Sequence, residues 1–303
     1  MDTIGHYATL IDCVVDLSAA DTTISILHSS PSTIVYRVES GGLYAVRVSV
    51  AQSPDHAVRM GVLREVGSLG DRVATILHSE ERRIGEHQCT VDIMPFLPGE
   101  PLNRSPSQEE TRGIIDTMYA LHRGLKGASP AFLNSGLPSL SDLLHGLLAT
   151  AEPGRMRAEA EMFLEDERFM QLLAAKNHCL TYGDPWPLNF LIEQGTEPIR
   201  VRIVDIDPIF MGPAILQPAL LFSACFVASS VLFQDEGMRP DLDALIQAWP
   251  EEIDRDDTIR MMRVYPILLS LVKLAEGEGQ DPQLRDANLR LLQGCLEVVD
   301  SYE

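Results

Sequence analysis

The sequence predicts an α+β protein, with a strand-rich N-terminal part followed by a larger and mostly helical remainder. Three observations carry this. Two runs rich in Val, Ile and Tyr, Ile34 to Val38 and Leu43 to Val50, flank Ser40-Gly41-Gly42, a β-hairpin signal because glycine accepts the backbone angles of a tight turn. An apolar run from Cys89 to Phe96 reads as a further strand, and Leu97-Pro98-Gly99-Glu100-Pro101 then breaks the pattern. Beyond the break, Ile114, Met118, Leu121 and Leu125 fall on one helical face. The break is the expected boundary between an N-terminal lobe, residues 1–97, and a C-terminal lobe, residues 98–303.

Taken in order, residues 1 to about 28 are weakly patterned and read as a helix and the start of a strand. In the second hairpin strand, Leu43, Ala45 and Arg47 share one face because side chains alternate. A helical stretch is expected from about Asp55 to Leu69. Ser107-Gln108-Glu109-Glu110 is a capping box, with Ser at the N-cap and Glu three residues on. Leu140 to Ala175 reads as mainly helical, and Phe190–Glu193 and Val201–Val204 as short strands around Gln194-Gly195-Thr196. The longest apolar run, Ala214 to Phe233, is almost long enough for a bilayer. Gln217, Pro218 and three serines interrupt it, which favours a buried core helix. Helices broken at Gly237–Pro240, Pro250 and Gly277–Pro282 complete the chain.

Composition narrows the class. An apolar content of 45% over 303 residues is that of a globular chain able to bury a sizeable core. The formal charge of −20, from 44 acidic against 24 basic residues, argues against a nucleic-acid partner, since Lys and Arg hold phosphate backbones. Such a field favours a cationic small substrate, and equally serves solubility. Five cysteines, scattered and odd in number, form no C-x-x-C pair, so neither a zinc site nor a disulfide framework is expected. A cytoplasmic protein is expected, because Met1-Asp2-Thr3-Ile4 lacks the regions of a signal peptide and no membrane segment is read.

The chemistry lies in Tyr182-Gly183-Asp184-Pro185-Trp186-Pro187-Leu188-Asn189, followed after an apolar run by Val204-Asp205-Ile206-Asp207. Phosphoryl transfer from a nucleotide needs one carboxylate to hold the acceptor hydroxyl, and an Asn and an Asp whose oxygens hold magnesium on the phosphates. An Asp, an Asn five residues on and a second Asp past the next strand supply that set. Taken singly, Asp184 and Asn189 are ordinary turn residues; joined to Asp205 at this spacing they read as a site. Other routes lack a foothold: the sequence contains no G-x-x-x-x-G-K-[ST] loop, no H-E-x-x-H and no G-x-S-x-G.

At these residues the chain resembles the aminoglycoside phosphotransferase family, a branch of the protein-kinase-like fold, over roughly residues 20 to 235. The family pattern is His-Gly-Asp, four variable residues, Asn, an apolar strand, then Ile-Asp-Phe. The resemblance implies two lobes, a small antiparallel sheet and a larger helical part. It implies Asp184 as the catalytic Asp, Asn189 and Asp205 as ligands of Mg2+, and Asp207 as support for the metal site. Ala45-Val46-Arg47 stands where kinases carry Ala-x-Lys, with Ala45 over the purine and Arg47 reaching the α- and β-phosphates, and Glu65 stands where a helix Glu orients that cation. Met94 to Pro101, with Met94 and Phe96, is similar to the segment that pairs with the purine edge, and Leu121-His122 to a common pair on the first helix of the large lobe. Ser32 and Thr33, in a glycine-free loop, are the phosphate-cradling candidates.

Three positions depart from the family pattern: Arg47 for the usual Lys, Tyr182 for His, and Gln217 near the place of an Asp that braces the catalytic loop. The activity implied is transfer of the γ-phosphoryl group of ATP or GTP to a hydroxyl of a small molecule. The acceptors implied are antibiotics (aminoglycoside, basic peptide, macrolide or nucleoside), with resistance or self-protection as the outcome. Choline, homoserine or a sugar amine are the metabolic alternatives. The three departures motivate a further alternative, a pseudokinase scaffold.

Overall fold

The computed structural model describes residues 23–29, 33–49, 61–62, 66–84, 86–132, 136–150, 155–174, 177–205, 208–232, 240–275 and 282–302. Of the residues singled out above, Ser32, Glu65 and Asp207 lie outside these, as do residues 1–22, Asp55–Met60 and the break at Gly237–Arg239. The chain divides into two compact units, Met1–Pro98 and Gly99–Glu303.

The N-terminal unit is built on one antiparallel sheet of five strands, in the order β1-β2-β3-β5-β4. The strands are β1 (Thr23–Ser29), β2 (Thr33–Glu39), β3 (Leu43–Ser49), β4 (His78–Ile84) and β5 (His87–Pro95). The expected hairpin is β2–β3, with Glu39 opposite Leu43 and Gly41 at φ 61°, the left-handed region that favours glycine. Val38, Val46, Val91 and Ile93 form the buried face of this sheet, flanked by Ile24, Tyr36, Tyr44, Val48 and Ile84. Period-two alternation then sends Ala45 and Arg47 of β3 to the opposite face, where the register pairs them with Met94 and Asp92 of β5. Within the expected helix at 55–69, Gly61, Val62 and Val66 are helical, and the chain continues as a 3-10 segment over Gly67–Arg72.

In the C-terminal unit the capping box forms as expected. Ser107 Oγ accepts from the Glu110 backbone N–H, and the Glu110 carboxylate accepts from the Ser107 N–H at 2.8 Å. It starts helix α1 (Gln108–Phe132), whose Ile114, Met118, Leu121 and Leu125 are fully buried. Helices α2 (Leu140–Thr150), α3 (Arg155–Glu165) and α4 (Glu167–Leu173) follow. A short strand β6 (Glu100–Pro101), at the Pro-Gly break, pairs with β8 (Phe190–Glu193), which pairs with β9 (Arg200–Ile203). A separate antiparallel ladder joins β7 (His178–Tyr182) to β10 (Ile209–Pro213). The long apolar run is a buried helical segment: α5 (Leu216–Leu221), a π-helical stretch Phe222–Val227 and α6 (Ala228–Leu232). Helices α7 (Leu242–Ala248), α8 (Arg255–Met262), α9 (Val264–Ala275) and α10 (Pro282–Asp300) complete the unit.

Candidate active site

In the N-terminal unit the cation at Arg47 is held across three neighbouring strands. Its Nε and Nη2 donate to Asp92 Oδ2 at 3.2 and 2.7 Å, while Ser79 Oγ on β4 donates to Asp92 Oδ1 at 2.6 Å. Asp92 is 1% exposed, so its charge is removed from water and compensated by a charge-assisted pair and a hydroxyl. Ala45 and Met94 lie beside this pair, one register step along the same face. Phe96 donates its backbone N–H to Leu43 O at 3.1 Å and carries the Arg37 guanidinium 5.2 Å from its ring centroid. Thr33 Oγ1 donates to Ser49 Oγ at 3.3 Å across the hairpin. The structure thus brings Ala45, Arg47 and Met94 onto adjoining strands, with Phe96 just past the end of β5, and adds Asp92 and Ser79, which the reading of the sequence did not single out. A lone Asp inside the apolar run from Cys89 to Phe96 was the available signal.

In the C-terminal unit the motif forms a tight loop between β7 and β8. Gly183 donates its N–H to Pro208 O at 2.8 Å, and the close approach explains the glycine, since a Cβ there would meet Phe210 Cε1 at 2.6 Å. Pro187–Asn189 makes a 3-10 turn with Trp186 as its N-cap. Asn189 turns its Nδ2 back into the loop, 2.9 Å from Asp184 O and 3.3 Å from both Asp184 Oδ2 and the Tyr182 hydroxyl. Because an amide nitrogen and oxygen diverge, Asn189 Oδ1 points away from those three acceptors. The backbone carbonyl of Asn189 accepts from the Val204 N–H at 3.0 Å, extending the β8–β9 ladder by one step, with Asp205 the next residue along the chain. Asp184 and Asn189 are therefore in direct contact, and Asp205 follows the residue whose N–H bonds the Asn189 carbonyl.

Two further side chains bond to this motif. Gln217 on α5 spans the Tyr182 backbone, accepting from its N–H at 2.9 Å and donating to its carbonyl at 3.1 Å. Tyr265 on α9 donates its hydroxyl to Asp184 Oδ1 at 3.1 Å, and its ring stacks on Trp186 with centroids 6.4 Å apart and planes 19° from parallel. Burial, and then the Asp184 carboxylate beside it, push the Tyr265 phenol far above its ordinary range, so it remains a donor. Gln217 was foreseen as the nearest substitute for the bracing Asp. Tyr265, 81 residues from Asp184, left no signal in the sequence.

The Asn189 amide oxygen and the Asp205 carboxylate are hard donors of the kind that suit a magnesium ion whose other ligands are phosphate and water. Among the described residues no group of three or more His, Cys, Asp or Glu side chains is placed to hold a metal by itself, and among them no helix is long and apolar enough to cross a membrane.

No model of a protein family matches the sequence, and neither does any curated protein. Solved structures do match over nearly the whole chain. The GDP complex of aminoglycoside 2'-phosphotransferase-IIIa aligns with a TM-score of 0.66 at 14% identity, covering 99% of each chain. The microcompartment-associated aminopropanol kinase aligns with a TM-score of 0.69 at 14% identity, covering 98% of this chain and 97% of that one. A Plasmodium vivax ethanolamine kinase aligns with a TM-score of 0.63 at 13% identity, covering 100% and 91%. With a five-stranded antiparallel sheet in one unit and a helical second unit carrying the motif loop, the chain has the two-part α+β fold of the aminoglycoside phosphotransferases and of the small-molecule kinases that share it.

Proposed function

We propose that this chain is a small-molecule kinase, transferring the γ-phosphoryl group of ATP or GTP to a hydroxyl of a small cationic acceptor. The observation that carries the reading is the loop in which Asn189 Nδ2 bonds Asp184 while the Asn189 carbonyl accepts from the N–H of Val204, the residue before Asp205. Asp184 takes the proton of the acceptor hydroxyl as the new O–P bond forms and the bond to the β-phosphate oxygen breaks, with the nucleoside diphosphate leaving. Asn189 and Asp205 would hold Mg2+, which supplies neutralisation of phosphate charge. Arg47, steadied by Asp92 and by the role assigned to Glu65, provides the cation for the α- and β-phosphates; Ala45, Met94 and Phe96 form the purine-binding face, and Ser32 and Thr33 border the phosphates. Most of the catalysis comes from positioning and charge, because a loose transition state leaves little covalent work for protein groups.

Two facts support this acceptor class. The chain carries a formal charge of −20, which raises the local concentration of cations. Structural neighbours are named for aminoglycosides, aminopropanol, ethanolamine and choline, all hydroxyl compounds bearing an amine or ammonium group. An antibiotic acceptor, with resistance or self-protection as its consequence, and a metabolic amino alcohol are thus two forms of one chemistry. A cytoplasmic setting suits the buried cysteines Cys89, Cys179, Cys225 and Cys295.

The test is magnesium-dependent transfer from ATP and from GTP across aminoglycosides, basic peptide, macrolide and nucleoside antibiotics, ethanolamine, aminopropanol, choline and homoserine. A product heavier by one phosphate is expected with the wild type and not with Asp184→Asn, which should still bind nucleotide. Equal turnover by Asp184→Asn would refute the role of Asp184. Nucleotide binding without transfer to any acceptor would favour a pseudokinase.

A further inference from the structure

We propose that Tyr265 is the residue that orients Asp184 for the acceptor hydroxyl, an inference that rests on the kinase reading of the same site. A carboxylate acting on a hydroxyl must present a free lone pair in one direction, yet an Asp side chain rotates about two bonds and has two equivalent oxygens. In this chain the two oxygens are made inequivalent. Oδ1 accepts from the Tyr265 phenol at 3.1 Å, whereas Oδ2 has the longer contact of 3.3 Å with the Asn189 amide, whose 2.9 Å bond goes to the Asp184 backbone instead. The Tyr265 donor on Oδ1 comes from a separate helix rather than from the loop itself.

The phenol is itself firmly placed. Tyr265 is 4% exposed, sits in the first turn of α9 and is covered by the Trp186 indole, a residue of the loop whose Asp it holds. Asp184, Trp186 and Tyr265 thus form a closed unit: the loop stacks on the ring, and the ring's hydroxyl fixes the loop's carboxylate. Because the phenol keeps its proton, it directs a donor at Oδ1 throughout and does not compete as a base. A lone pair remaining on the carboxylate then receives the acceptor proton while the acceptor oxygen attacks the γ-phosphorus. Tyr265 is a positioning residue in this scheme, since it acts through Asp184.

Tyr265→Phe keeps the ring, the stack and the packing and removes only the hydroxyl. The measurement is the ratio of phosphoryl transfer to nucleotide hydrolysis by water, with ATP and GTP as donors and kanamycin and ethanolamine as the acceptor probes, alongside nucleotide affinity and thermal midpoint. Since a fall in the folded fraction lowers both reactions equally, the ratio reports positioning alone. Tyr265→Phe should lower kcat for transfer by about tenfold to a hundredfold and the transfer-to-hydrolysis ratio by about tenfold, the size of effect a misplaced reacting group produces. Acceptor KM and nucleotide Kd should stay within about twofold, as expected when only transition-state interactions are lost. An unchanged ratio in Tyr265→Phe overturns the proposal. Wild-type behaviour of Tyr265→Phe with loss only in Tyr265→Leu overturns it as well, by showing that the ring matters and the hydroxyl does not. A wild type that gives no magnesium-dependent transfer to either probe and no hydrolysis overturns the kinase reading and this inference together, a result distinct from selective failure of the variant.

Discussion

Gln217 shows how one side chain accommodates a departure from a family pattern. The strand β7 pairs with β10 along one edge, and its other edge carries backbone groups that must find partners inside the protein. Ser129 Oγ on α1 accepts from the Leu180 N–H at 2.8 Å, and Gln217 serves both the N–H and the carbonyl of Tyr182. A carboxylate is an acceptor only and would leave the Tyr182 carbonyl unserved, whereas an amide offers a donor and an acceptor on adjacent atoms. Gln217 therefore stands in for a neighbouring strand at the residue that leads into Gly183 and Asp184. Both Tyr182 and Gln217 are completely buried, so an apolar replacement leaves two backbone groups without that partner. Gln217→Leu, close to it in volume, should cost roughly 2–6 kcal/mol, one to three for each buried group stripped of its bond. Urea unfolding of the variant measures this, and a change below about 0.5 kcal/mol would mean that other groups satisfy Tyr182 and that the brace is dispensable.

At the scale of elements, the N-terminal sheet uses three strands to hold one charge. Arg47 comes from β3, Asp92 from β5 and Ser79 from β4, so the pair forms only when the register is correct. With side chains only 11% and 1% exposed, the two ions lose most of their hydration, and replacing such a pair by apolar residues is often neutral or favourable. Removing one partner is different: Asp92→Ala should destabilise by about 3–5 kcal/mol because it takes a buried counter-charge away from the guanidinium. The double variant Arg47→Met/Asp92→Leu should regain most of that stability while losing nucleotide affinity, which denaturant midpoints and nucleotide titration report separately. If the double variant stays as unstable as Asp92→Ala, the pair exists for stability and not to present a cation. The same elements show what a sequence discloses. The β2–β3 hairpin and the Ser107–Glu110 capping box are local, so a few adjacent residues specify them. The strands β4 and β10 lack a strong apolar alternation: β4 is mostly charged, with exposed and half-buried positions, and β10 is buried on both faces and ends in Gly-Pro. The contact of Asp184 with Asn189 is legible because the loop keeps the two close in sequence. Asp92 and Tyr265 meet their partners across 45 and 81 residues, distances at which single-sequence patterning carries no register.

For the whole molecule, two buried titratable groups on α1 set how stability responds to acid. Burial pushes His122 down from 6.5 to about 4, against the pull of the Glu251 carboxylate, whose Oε2 lies 3.9 Å from Nε2. The ring packs by Trp249, and among the described residues its Nδ1 has no hydrogen-bond partner. Hydrogen bonding from Arg104 first, then from Ser107 and Gln194, holds Glu110 down from 4.5 to about 2 despite its burial. Both folded values lie below the unfolded ones, so in each window the unfolded chain binds more protons and stability rises with pH. The His122 contribution is complete above pH 6.5 and is lost as pH falls to about 4; the Glu110 contribution is complete above 4.5 and is lost as pH falls to about 2. Each window is worth on the order of 3 kcal/mol. The thermal midpoint should therefore be insensitive to these two groups above pH 7 and should fall in two overlapping steps below it. His122→Phe, which keeps an aromatic ring against Trp249 and cannot titrate, should flatten the upper step. Glu110→Gln, which retains the reach to Ser107, should flatten the lower one. Calorimetric scans from pH 8 to pH 3 on the three proteins separate the steps. Parallel curves for wild type and His122→Phe between pH 6.5 and 4.5 would show that the folded protein protonates His122 as readily as the unfolded chain does. The helix that carries the capping box would then tolerate a buried cation, contrary to the burial of its ring.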